Sequence, residues 1–75
     1  MRAIKSDLVL CLKNKGYEAS LERRKIYRAV PDRAAALDQL IRVIDESGDD
    51  YLFPVAFFAP VKLSPSVRRA VLAAV

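Results

Sequence analysis

The stretch that most restricts this chain is 46–63, "ESGDDYLFPVAFFAPVKL", where a polar turn opens onto an aromatic-aliphatic run broken by Pro54 and Pro60. A proline cannot donate a backbone N–H to a ladder and fixes its own φ, so neither a long helix nor an unbroken central strand can run through here. Short strands and tight turns remain. Gly48 supplies the conformational freedom a tight turn needs. The segment 51–55 therefore reads as a return strand, paired in a hairpin with 40–45, "LIRVID". After it, "AFFAPVKL" reads as a short turn followed by a last strand around 60–63.

The same grammar holds upstream. "LVLCL" at 8–12 is a short apolar run with β-compatible residues, closed by the turn-like "KNKG", in which Gly16 marks a backbone position of positive φ. "KIYRAV" at 25–30 alternates, with Tyr27 and Ala29 on one face and Ile26, Arg28 and Val30 on the other, until Pro31 ends it. Asp32 suits an N-cap, so 34–37 reads as one helical turn inside a loop. The segment 17–24, "YEASLERR", reads equally as an irregular arm or a short helix. The tail differs: Ser64 and Pro65 are helix-start residues, Val67, Val71 and Ala74 recur at helical spacing, and Arg68 and Arg69 face outward. A short amphipathic helix over 65–74, docked on the rest, is expected.

These elements predict a mainly β chain: five short strands in a strongly bent antiparallel barrel near 8–12, 25–30, 40–45, 51–55 and 60–63, with the C-terminal helix. An open sheet with 17–24 as a full helix is the alternative. The inward set is expected to be Leu10, Leu12, Tyr27, Ala29, Ile41, Val43, Phe53 and Phe58. Seventy-five residues leave room for one domain with one core, here 1–75.

Composition excludes several classes of function. Hydrophobic residues at 53% and charged residues at 29% describe a globular chain rather than a disordered one. A single cysteine, Cys11, closes no intrachain disulfide, and with no histidine the usual zinc sets cannot be built. In its apolar run Cys11 reads as a buried structural thiol, which fits a reducing cytoplasm. No apolar run approaches a membrane span, and Lys5 and Asp7 interrupt any signal-like segment. The chain is expected to be soluble and cytoplasmic, with no membrane partner.

Net charge is +4 and unevenly spread. Arg23, Arg24, Lys25 and Arg28 form a basic cluster with Tyr27 interleaved, the kind of surface that meets RNA or DNA, and Glu18 and Glu22 dilute it. A solvated strand face explains the same residues. Asp45, Glu46, Asp49 and Asp50 are too closely spaced for an EF-hand loop and read as a solvated turn. No glycine-rich phosphate loop or nucleophile elbow is present. Neither catalysis nor a cofactor or metal is expected.

The phrase "GDDYLFPVAFF" resembles the end of a Src-homology-3 domain, where a distal hairpin leads to a strand ending in proline, a one-turn helix, an aromatic and a core residue. That resemblance implies a small five-stranded Src-homology-3-like barrel. It places Phe53 and Phe58 in the core and Pro54 and Phe57 on the peptide-binding face. The chain lacks the tryptophan pair and the first-strand motif of those domains, so it does not imply recognition of proline-rich ligands. "KGYEASLERRKIYRAVPD", "LIRVIDESGDDYLFP" and "LSPSVRRAVL" resemble small bacterial proteins of uncharacterised function and similar length. The functional expectation is a non-catalytic protein-protein interaction module. Tyr17, Pro54 and Phe57 would form an aromatic shelf for a protein partner or a second copy. The alternatives are a nucleic-acid-binding barrel using Arg23, Arg24, Lys25 and Arg28, or aromatics that merely complete the core.

Overall fold

The structure is a computed structural model that describes residues 4 and 6–73. Five antiparallel strands form one sheet: β1 (Leu8–Cys11), β2 (Ile26–Val30), β3 (Leu40–Ile44), β4 (Asp50–Pro54) and β5 (Phe58–Pro60). A short helix α1 (Arg33–Leu37) links β2 to β3, and α2 (Pro65–Ala73) follows β5. The strand order is β4-β3-β2-β1-β5, so β4 and β5 are the two edges and the sheet is not closed by pairing between them.

Those edge strands are nonetheless consecutive in the chain, joined by one 3-10 turn, Val55–Phe57. Three residues span at most about 10 Å. A flat five-stranded sheet would hold its edges nearly 20 Å apart at the usual strand spacing. The sheet is therefore forced to curl at that end. Pro60, facing Val9 on edge strand β5, occupies the kind of position where a missing donor is tolerated.

The core fills the inside of the curl. Val9, Cys11, Leu21, Tyr27, Ala29, Ile41, Val43, Phe53, Val55 and Phe58 form one buried cluster, with Ile4 and Phe57 packed partly against it. Six of the eight expected inward residues belong to it. Leu10 and Leu12 do not: Leu10 is half-buried and Leu12 is 47% exposed. Pairing sets the phase of β1. Val9 lies opposite Tyr27 and Cys11 opposite Phe58, both inward residues, so Leu10 and Leu12 turn away, while Leu8, on their face, is nevertheless buried at 2% exposure outside that cluster.

Two boundaries also differ from expectation. The last strand starts at Phe58 and ends at Pro60, because 55–57 takes up the 3-10 turn and the main-chain oxygen of Phe57 accepts from the N–H of Leu12 at 2.7 Å. The segment 17–24 is an arm of turns rather than a helix. Gly16 and Gly48 have φ of 86° and 88°, the left-handed region that a side chain would strain.

Asp32 caps α1 through a bond from the Ala35 N–H at 2.9 Å, and its other oxygen accepts from Arg42 Nε at 2.9 Å. These bonds hold its carboxyl below the ordinary aspartate value, the backbone bond first. Helix α2 carries no buried residue, and Val67 is largely exposed. Its expected docking therefore reduces to a light contact at this level. Arg68, expected to face outward, has a side chain 41% exposed and pairs with Asp7; Ala74 lies outside the described residues.

Candidate interaction surface

The arm between β1 and β2 is built from local bonds. Tyr17 N–H donates to the oxygen of Asn14 at 2.8 Å, and Ser20 and Leu21 N–H both donate to the Tyr17 oxygen at 2.9 Å. The Asn14 amide reaches forward to the Leu21 oxygen at 3.0 Å. Leu21 is then swallowed by the core at 1% exposure, and burying a leucine is worth about 1.5–3 kcal/mol. One buried side chain and these turns fix an arm that has no ladder of its own. Leu21 was legible only as the single large aliphatic residue in a polar stretch.

The arm is also tied to the turn between β3 and β4. Glu46 N–H donates to the Ser20 oxygen at 3.0 Å. The Glu46 carboxylate takes Lys25 Nζ at 2.7–2.8 Å and accepts from the Tyr27 hydroxyl. That hydroxyl in turn accepts the Glu22 N–H at 2.7 Å. Lys25 Nζ lies 5.6 Å from the Tyr27 ring centroid, within cation-π reach. Lys25 and then Tyr27 hold the Glu46 carboxyl below the ordinary glutamate range, while its bond to Glu46 raises Lys25. Burial, then the bond to Glu46, pushes the Tyr27 phenol up.

With the arm held, Tyr17 becomes the outer member of an aromatic column. Its ring lies edge-on to Phe53 at 5.2 Å and 79°, and to Phe57 at 5.8 Å and 74°. Phe53 continues inward to Phe58 at 6.3 Å and 66°. Such edge-to-face pairs add about 0.5–1.5 kcal/mol each beyond area burial. Tyr17 is 39% exposed, and Phe57 is half-buried against the core. Two of the three expected shelf residues are thus in ring contact at the surface. Pro54 is half-buried opposite Leu40 on β4, one 3-10 turn before Phe57.

The basic cluster is less uniform than its sequence. Arg23, Arg24 and Arg28 are exposed, but Lys25 is paired with Glu46 and the Tyr27 ring is buried. No aromatic face is left among them for a base to stack on. Arg24 has a φ of 68°, held there by its N–H bond to the Cys11 oxygen at 2.8 Å.

The acidic turn corrects the sequence reading at one position. Asp45 is 7% exposed, not a solvated turn residue, because it continues the inward phase of Ile41 and Val43. Its Oδ1 accepts from Ser47 N–H at 2.8 Å and from Ser47 Oγ at 2.5 Å. Glu46, Asp49 and Asp50 are exposed as expected, with Asp50 3.7 Å from Arg42. Burial raises the Cys11 thiol above its ordinary value and leaves it little thiolate character. Among the described residues no group of three or more acidic or cysteine side chains could hold a metal ion. No helix among them is long and apolar enough to cross a membrane. No family model matches the chain, and no curated protein or solved structure is significantly similar to it.

Proposed function

We propose that this chain is a small, partly open barrel of the Src-homology-3 type that acts by contact, as a cytoplasmic protein-interaction module without catalytic activity. The strand order, the curl imposed by the three-residue link between the edges, and the 3-10 turn before β5 favour that fold. The arm before β2 occupies the place of the long loop in such barrels. The lone buried thiol suits a reducing compartment.

The observation that carries the functional reading is Tyr17. A tyrosine 39% exposed, yet locked edge-on to two phenylalanines by a hydrogen-bonded arm, offers a partner a rigid amphipathic surface at little entropic cost. Phe57 extends it, and Pro54 precedes Phe57 in the chain by one 3-10 turn. Such a patch is small, so micromolar affinity, about −8 kcal/mol, is the appropriate scale. The partner is a protein segment or a second copy of the chain.

Affinity capture from a lysate, with wild type beside Tyr17→Ala, tests this. A protein enriched by wild type and lost from the variant supports the reading. One retained equally by both places the contact elsewhere. Tyr17→Ala is preferred to a Phe57 variant, because Phe57 also packs on the core.

A further inference from the structure

Beside the aromatic column, between the arm and the β3–β4 turn, lies an open groove of about 370 Å³ lined by Tyr17, Ser20, Asp45, Ser47 and residues 51–53. We infer that it is a cation-recognition site taking an alkylammonium head group, as on a lysine side chain or its N-methylated forms.

The chemistry of the lining points one way. Two exposed tyrosines and one carboxyl group line the groove over the buried Phe53, and the lining contains no basic side chain. Aromatic π-systems attract cations and gain most when the cation is only weakly hydrated, as alkylated ammonium is. Asp45 brings a carboxyl group to the wall at 7% exposure. A carboxylate that deep is ordinarily paired. Among the described residues no basic group pairs with Asp45, and its side-chain hydrogen bonds run through Oδ1 alone. No buried side-chain oxygen among the described residues lacks a partner, so the second oxygen is reached from the open groove. Of the neighbouring acids, Glu46 holds Lys25, Asp50 lies near Arg42, and Asp49 is exposed outside the groove lining.

The walls are also fixed in advance. The Glu46 N–H bond to the Ser20 oxygen ties the arm side of the groove to the turn side, and the ring contact with Phe53 seats Tyr17. Tyr51, opposite Val43 on an edge strand, is 52% exposed and forms the outer rim. A bound head group would thus bring order to few side chains, which favours affinity. The chain's net charge of +4 repels cations in general, so a saturable cation site must come from this local arrangement.

This site shares Tyr17 with the proposed shelf but does not depend on it, and its test needs no protein partner. The intact, isotope-labelled chain is titrated with choline, with a blocked trimethyl-lysine, and with the uncharged tert-butyl isostere of choline, following amide and aromatic-ring resonances. Saturable shifts at Tyr17, Ser20, Asp45, Ser47 and Tyr51 with the charged probes, absent with the isostere, are expected. Asp45→Asn keeps the oxygen that accepts from Ser47 and should weaken binding about tenfold by removing the charge. Tyr51→Leu keeps an apolar rim and should weaken it about fivefold. Tighter binding of the lysine derivative than of choline assigns the source to a protein segment; equal binding assigns it to the head group alone. Equal shifts with the uncharged isostere, or undiminished binding in both folded variants, would overturn the inference.

Discussion

The Tyr27 hydroxyl donates to the Glu46 carboxylate, joining the middle of β2 to the turn between β3 and β4. The same hydroxyl accepts the Glu22 N–H, so one buried phenol bridges the arm and the turn that wall the candidate site. Tyr27→Phe leaves the ring in the core and removes both bonds. It should cost about 1–2 kcal/mol in denaturant unfolding and loosen the arm, seen as faster amide exchange at Glu22. An unchanged Glu22 amide would contradict this role.

The bonds to Glu46 also set a pH dependence. The carboxyls of Glu46 and Asp32 are lowered in the folded state, so their contribution is present above the ordinary values of 4.5 and 3.8 and is lost as pH falls below them. Lys25 and Tyr27 are raised, so theirs is present below 10.5 and 10.0 and is lost as pH rises beyond them. A stability plateau between these limits is expected in thermal melts across pH. Glu46→Gln should shrink both shoulders, and an alkaline shoulder identical to that of wild type would contradict the linkage.

Phe58 is fully buried at the junction of β1 and β5, opposite Cys11. Phe58→Ala should cost about 3–5 kcal/mol, most of what a domain of this size has. On β1 and the residue after it the phase predicts a contrast: Val9→Ala should cost about 2 kcal/mol, whereas Leu12→Ala should fall within about 0.5 kcal/mol of wild type. Denaturant midpoints decide the matter. Equal losses at the two positions would mean that β1 is packed in the other phase.

Those two positions show where the sequence is legible. Strands β2, β3 and β4 and helix α1 stand near their expected places, because proline, glycine and a capping aspartate punctuate them and the strands alternate. "LVLCL" has no polar residue to mark its outer face, so its phase is decided by partners distant in sequence. The last strand begins earlier than expected, because Pro60 reads as a boundary before a strand, whereas here it ends one at an edge. In the arm, a single leucine was too weak a signal for burial. Tyr17 follows directly on Gly16 at the start of that arm, which made its neighbourhood to Phe57 readable. Asp45 was hidden among four acids, and only the phase of β3 distinguishes it.

The exposed arginines make a separate prediction. With Lys25 paired to Glu46 and Tyr27 buried, the cluster at 23–28 has no stacking ring and one of its charges is offset by a carboxylate. No saturable binding of single- or double-stranded oligonucleotides is expected, even at low salt. Binding that falls steeply with salt and disappears in Arg23→Glu with Arg24→Glu would restore the nucleic-acid reading.

Contact at this surface requires Tyr17 to be a fixed, solvent-facing ring rather than the tip of a mobile loop. Nuclear Overhauser contacts between the ring protons of Tyr17 and those of Phe53 and Phe57, together with backbone relaxation of the arm, measure this directly. Strong contacts to both rings, with arm order parameters near the rigid value of about 0.85, are predicted. A Tyr17 ring with averaged shifts and no contact to Phe57, on an arm with order parameters below about 0.6, would contradict the account.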